Sequence, residues 1–227
     1  MFKDRRDAGR QLAARLLQYK NQDPVVLALP RGGVPVGYEI ALRLDGPLDV
    51  LVVRKLGAPG QPELGIGAVV DGDQPESVFN EDLLRALDVS RDYLDREISV
   101  QIEEIRRRQR TYRGGQPAVD VEGRTVIVVD DGIATGASIR AALRRLRRSR
   151  PKRLVLAAPV APPDTVESLW PEVDDLVCLS APISFSAVGQ FYEDFNQTTD
   201  QEVIDLLARA RQRGAPTNPA QAKDDTQ

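Results

Sequence analysis

The 227-residue chain contains no histidine. That absence excludes a Ser/His/Asp triad, a histidine-ligated zinc site and a histidine general base. There is one cysteine, Cys178, inside an apolar strand-like run. It cannot form an intrachain disulfide, and a buried, inert thiol is expected. Lysine is scarce: Lys3, Lys20, Lys55, Lys152 and Lys223 are the full set, and arginine supplies the remaining positive charge. No apolar run approaches the roughly 20 residues a membrane helix needs, and no signal peptide is recognised, so a cytoplasmic location is expected. A net charge of −3 and a pI near 5.2 give no overall basic field to recruit nucleic acid. Hydrophobic and charged contents of 41% and 29% are ordinary for a globular protein, and the length suits one large domain or a domain with an insertion.

What is present centres on residues 125–138, T-V-I-V-V-D-D-G-I-A-T-G-A-S. Residues 126–129 are a continuous β-branched run, as in a strand covered on both faces. Asp130 and Asp131 follow where that strand should end. The small-residue loop Ala134, Thr135, Gly136, Ala137 and Ser138 comes next, and then a helical pattern with Ile139, Ala142, Leu143 and Leu146 on one face. Small residues let a ligand reach backbone N–H groups, and a helix N-terminus adds partial positive charge, so the loop favours a phosphate. The two carboxylates suit sugar hydroxyls, or Mg²⁺ held through water. Together they call for a phosphorylated sugar.

The run V-I-V-V-D-D-G-I-A-T-G-A-S resembles the phosphoribosyl pyrophosphate (PRPP) motif of type I phosphoribosyltransferases. The resemblance follows motif order over about residues 25–180 and is sharp at 126–138. It implies that Asp130 and Asp131 hold the ribose hydroxyls and take part in catalysis. It also implies that they meet Mg²⁺ through water or PRPP, and that residues 134–138 hold the 5′-phosphate. Enzymes acting on hypoxanthine and guanine carry an aspartate where this chain has Ala134, which weighs against that kind of acceptor. Adenine enzymes share A-T-G here, but no familiar acceptor signature is present, and the acceptor stays open.

Residues 4–20 read as an amphipathic helix whose Arg5, Arg6 and Arg10 form a solvated face, a subunit or substrate role being the lesser reading. Residues 25–29 read as the first core strand, ending in R-G-G-V-P-V-G from Arg31. Alone, Gly32 and Gly33 mark a tight turn. Beside the PRPP motif, Arg31, Gly32 and Gly33 resemble the family's pyrophosphate loop. Residues 49–53 are a second strand, followed by Arg54, Lys55 and the Gly/Pro-rich stretch 56–67. The resemblance assigns that stretch to a flexible catalytic loop, with Lys55, helped by Arg54, on the pyrophosphate and Glu63 as acid/base. A hairpin with a solvated Glu63 is the other reading. A further short hairpin is expected around Asp71, Gly72 and Asp73.

Residues 81–110 read as one long charged helical region, a family-specific insertion that could serve a homodimer interface. Its arginines, and those at 144–153, read as solvated faces. Phe185, Phe191 and Tyr192 cluster after the last strand within residues 180–199. They either stack on an acceptor base as part of a hood or pack a small cap. A last helix covers 200–211, and residues 213–227 read as a disordered tail beyond a domain spanning 1–212.

The expected fold is α/β, a mainly parallel sheet flanked by helices, with a helical insertion and a small hood. The expected function is transfer of ribose 5-phosphate from PRPP to a nitrogenous base or similar acceptor, with pyrophosphate release. The alternative, motivated by the arginine clusters, is a non-catalytic PRPP- or nucleotide-sensing regulator of transcription or RNA. A dinucleotide-binding oxidoreductase lacks its G-x-G-x-x-G, and a P-loop NTPase lacks G-K-[ST].

Overall fold

The computed structural model describes residues 1–72 and 75–214, apart from the side chain of Glu63. Five strands form a parallel sheet in the order β2-β1-β6-β7-β8: β1 (Pro24–Ala28), β2 (Leu48–Val50), β6 (Thr125–Val129), β7 (Arg153–Val160) and β8 (Asp175–Ser180). The two central strands are wholly buried, which is why their sequences are apolar without alternation. Alternate residues serve opposite faces. Val26, Ala28, Ile127 and Val129 pack under helices α1 (Arg5–Arg15), α2 (Gly33–Leu44) and α7 (Asp200–Gly214). Val25, Leu27, Val126 and Val128 pack under α5 (Ala137–Arg148) and α6 (Pro163–Leu169).

The chain leaves β1 toward β2 on one side and leaves β6 toward β7 on the other. The strand order therefore reverses between β1 and β6. Ligands of open α/β sheets bind at such a switch point, beyond the carboxyl ends of the strands. The two loops singled out in the sequence, at 30–33 and 130–138, both emerge there.

A second, antiparallel sheet joins β3 (Val53–Ala58), β4 (Gln61–Val70) and β5 (Glu76–Phe79). The stretch expected as a flexible loop at 56–67 is instead a strand pair turning at Pro59 and Gly60, so the hairpin reading holds. Its glycines suggested a loop because they serve a different purpose. A Cβ on Gly57 would lie 2.7 Å from the Pro62 backbone, and the bulged pairing admits no side chain there. The 49–53 strand also divides: β2 ends at Val50 and β3 starts at Val53 in the other sheet. Asp73, at the expected turn before β5, lies outside the described residues, as do residues 215–227 of the expected tail.

The charged region at 81–110 is two helices, α3 (Glu81–Ala86) and α4 (Arg91–Arg113), parted where Asp88 adopts φ 47°. Each start is capped: Asn80 Oδ1 accepts from Leu83 N at 3.2 Å, and Ser90 Oγ accepts from Tyr93 N at 3.3 Å. Leu94, Ile98, Ile102 and Ile105 of α4 join the core beside the second sheet. The Tyr93 hydroxyl donates to the Gly57 carbonyl. At its far end, Arg113 is buried between Asp49 and Asp71 and donates to the Val50 carbonyl. The α4 helix is thus built into the domain. The first helix is shorter than expected, ending at Arg15 before a 3₁₀ turn, and the last is longer, reaching Gly214. No helix among the described residues is long and apolar enough to cross a membrane.

Candidate active site

Two loops meet at the switch point, and paired glycines let them touch. After β1, Leu29 N donates to Val129 O, and the peptide bond joining Pro30 and Arg31 is cis. A Cβ on Gly32 would lie 1.9 Å from Asp131 Oδ2, and one on Gly33 would lie 2.8 Å from Val129 O. Neither position accepts any side chain. The structure therefore brings Gly32 and Gly33 against Asp130 and Asp131 at the carboxyl edge of the sheet.

Asp131 N donates to Asp130 Oδ1 at 2.9 Å, which turns the first carboxylate back onto its own loop. Burial raises the Asp130 carboxyl well above its ordinary range, and the neighbouring Asp131 charge adds to the rise; Arg5 pulls the other way. Asp131 Oδ2 accepts from Arg5 Nε at 2.7 Å. Arg5 was expected on a solvated face. Its side chain is instead 12% exposed, lies over the Phe195 ring at 3.8 Å, and donates to Asn196 O at 2.6 Å. Arg5 is the first residue of α1, and 190 residues separate it from Phe195, so no local pattern could have signalled the contact.

The phosphate-loop candidates run on from the carboxylates. Ala134, Thr135, Ala137 and Ser138 are exposed, while Gly136 is buried at φ 73° against Leu169 and Thr165. Gly136 is the N-cap of α5, and no side chain caps that end, so the first N–H groups of the helix face outward without a side-chain acceptor. Thr165, from α6, donates to the Ala134 carbonyl at 2.7 Å and props the loop from behind.

Arg31 meets Asp200, the first residue of α7, at 3.6 Å. The Tyr112 hydroxyl of α4 donates to the same Asp200 oxygen at 2.8 Å, and burial together with that carboxylate pushes its pKa up to about 12. The insertion and the last helix thus converge on Arg31. Arg54 and Lys55 lie on β3, in the hairpin. Arg54 Nε donates to Gln101 of α4, and Lys55 is exposed. Glu63 is in β4, and its side chain lies outside the described residues.

Among the aromatic candidates, Tyr192 is buried, with its ring against Phe2 and Phe195 and its hydroxyl donating to Asp131 O at 2.5 Å. Phe185 and Phe191 stack on each other, centroids 5.4 Å apart, and stay part-exposed. Beside them Ile183 is almost fully exposed. This segment reaches the site through Val188, whose methyls fill the space above Gly132. Among the described residues no group of three or more acidic, histidine or cysteine side chains could by itself hold a metal ion.

The arginine clusters elsewhere are engaged with neighbouring carboxylates. Arg107 and Arg108 pair with Glu104, Arg140 and Arg144 with Glu172, Arg147 with Asp174, and Arg148 with Glu76.

Comparison with known proteins agrees with this geometry. The phosphoribosyl transferase domain family matches residues 3–196. A Mycobacterium tuberculosis protein, Rv0571c, provisionally named a phosphoribosyl transferase, is 45% identical over 225 residues, covering 99% of this chain and 50% of the relative. The chain thus spans about half the length of the curated relatives it matches. The crystal structure of TT1426 from Thermus thermophilus is 46% identical, with a TM-score of 0.80 over 92% of this chain and 98% of that one. With its parallel sheet, its motif loops at the switch point and a family match over most of its length, the chain belongs to the phosphoribosyl transferase domain family.

Proposed function

We propose that this domain transfers ribose 5-phosphate from PRPP to a nitrogenous base or a similar acceptor. The observation that carries the reading is the abutment of the Arg31–Gly33 turn on Asp130 and Asp131, one loop away from an uncapped helix start. In this reading Ala134, Thr135, Gly136, Ala137 and Ser138 bind the 5′-phosphate through backbone N–H groups and two hydroxyls. Asp130 and Asp131 accept from the ribose hydroxyls and fix the sugar ring. Arg31, the N–H of Gly32, Lys55 and Arg54 face the pyrophosphate, and Gly33, whose own N–H donates to the Leu29 carbonyl, lets the turn close against β6.

The donor set fits a magnesium ion that arrives with its substrate. Two adjacent carboxylates supply hard oxygen ligands, and the remaining positions would come from PRPP and water. Asp130 and Asp131 would hold it, directly or through water. When bound it would neutralise charge on the leaving pyrophosphate.

The reaction forms a bond from an acceptor nitrogen to ribose C1 and breaks the C1–O bond to pyrophosphate. Positive charge gathers on the ring in the transition state, as in glycosyl transfer generally. In this reading the fixed carboxylates meet that charge, and Arg31 meets the negative charge of the leaving group. Part-exposed Phe185 and Phe191 are the rings proposed to stack on a flat acceptor, while Tyr192 supports the Asp131 backbone. Glu63 is the proposed acid/base. The competing reading, an RNA-binding regulator, was motivated by arginine clusters that the fold engages in ion pairs.

The test is calorimetric titration of PRPP with Mg²⁺ into the wild type and into the Asp130→Asn/Asp131→Asn variant. Binding by the wild type that the variant loses is the expected result, and screening of bases for pyrophosphate release follows from it. A folded wild-type protein that binds no PRPP overturns the reading.

A further inference from the structure

The segment at residues 2–5 does more than begin the first helix. Phe2 N donates to Phe191 O, Glu193 N donates to Phe2 O, and Asp194 N donates to Lys3 O, so residues 2–3 lie as an added strand along residues 191–194. Asp4 then caps α1 through a bond from Asp7 N. This strap delivers Arg5 to the site. The guanidinium is fixed three ways: Nε on Asp131 Oδ2, Nη1 on the Asn196 carbonyl, and its plane over the Phe195 ring. A planar group gripped at two edges and one face has little freedom left, and a lysine could not reproduce the arrangement.

The grip leaves one oxygen of Asp131 available. Oδ2 is wedged between Arg5 and the bare face of Gly32. Among the described residues no hydrogen bond reaches Oδ1. Tyr192 steadies the same residue from its carbonyl. One carboxylate oxygen is therefore held by Arg5, and the other takes no bond from a described N–H or hydroxyl donor, its charged neighbour being the buried Asp130 carboxyl.

We propose that Arg5 is a positioning residue for sugar recognition: by holding Asp131 Oδ2 it aims Oδ1 at a ribose hydroxyl, so that the site distinguishes a phosphorylated sugar from a bare phosphate. The inference rests on the PRPP reading of the site and adds to it a residue outside the motif, 126 positions from Asp131 in the sequence. Arg5 acts through Asp131 and touches no substrate atom.

The test compares two probes, ribose 5-phosphate and inorganic phosphate, by titration into the wild type, Arg5→Met, Arg5→Lys and Phe195→Leu. Inorganic phosphate reports the loop at 134–138, and the difference between the probes reports the hydroxyl contact. The wild type should bind ribose 5-phosphate more tightly than phosphate. Arg5→Met should weaken ribose 5-phosphate by about tenfold or more, the scale of one charge-assisted hydrogen bond, and leave phosphate unchanged. Arg5→Lys should recover part of the loss.

Phe195→Leu keeps the guanidinium but removes the ring beneath it. It should shift ribose 5-phosphate in the same direction by a smaller factor, which preserves the test where Arg5→Met does not fold. Equal weakening of both probes, in a variant as thermostable as the wild type, would overturn the proposal. So would unchanged or tighter sugar binding, since tighter binding makes Arg5 a competitor of the sugar. A wild type that binds phosphate and ribose 5-phosphate equally overturns the hydroxyl contact alone. A wild type that binds neither overturns the underlying PRPP reading and this proposal with it.

Discussion

A methyl group placed on Gly32 would lie 1.9 Å from Oδ2 of Asp131. The carboxylate has no room to retreat, because Arg5 holds the same oxygen from the other side. Gly32→Ala must therefore either swing Asp131 away from the site or push the two loops apart. Overpacking of this kind costs about 1–3 kcal/mol. The expected outcome is a folded protein, with a melting temperature lowered by a few degrees, whose PRPP binding is lost. Wild-type affinity in calorimetry would show that the two loops do not share one ligand.

Asp130 should limit stability at neutral pH. Its folded carboxyl titrates above the ordinary aspartate value of about 3.9, chiefly through burial. The folded state keeps that proton to a higher pH than the unfolded chain does. Stability then falls as pH rises from about 4 to the folded pKa, and stays lowered above it. Asp130→Asn removes the charge and should raise the melting temperature at pH 7 while abolishing PRPP binding. Thermal melts of both proteins between pH 4 and 8 check the sign: the variant should lose a falling component that the wild type shows.

Arg113 joins the end of α4 to both sheets through Asp49 and Asp71. All three side chains are buried. Arg113→Met leaves two carboxylates in the interior without their cation, which costs about 3–5 kcal/mol. Urea denaturation should show the loss as a lower midpoint. Adding Asp71→Asn should recover part of it, because the burial that raises the Asp71 pKa then acts on a neutral group.

Thr165 should affect binding more than folding. Its hydroxyl donates to the Ala134 carbonyl from a part-exposed position. Thr165→Val removes the bond and keeps the shape, at a cost of about 1 kcal/mol, or roughly fivefold in affinity for inorganic phosphate. The melting temperature should barely move. An unchanged phosphate affinity would show that the loop holds its shape without this prop.

The parallel sheet was legible because buried parallel strands are apolar without interruption, and residues 126–129 have that form. The loop at 130–138 was legible from its strand–loop–helix pattern, whereas 31–33 by itself marks only a tight turn and was read as part of a site through the family resemblance. The 56–67 hairpin was half legible. Its glycines allow close strand approach at Gly57, and composition alone cannot separate that need from flexibility. The break between α3 and α4 was missed because Asn80 and Ser90 are ordinary residues until their caps are seen. Arg5, Asp200 and Thr165 were missed for a different reason: each acts across 30 or more residues, where periodicity carries no information.

Asp200 sets a condition on the turnover of the site. Its carboxylate stands 3.6 Å from Arg31, and Tyr112 keeps it there. An anion arriving at Arg31 therefore displaces a partner instead of meeting a bare cation, and when it departs the partner is ready to return. Such an exchange lowers affinity and shortens residence time together. Under the proposed function, in which the site discharges pyrophosphate before its next cycle, the pairing would convert binding strength into speed of release.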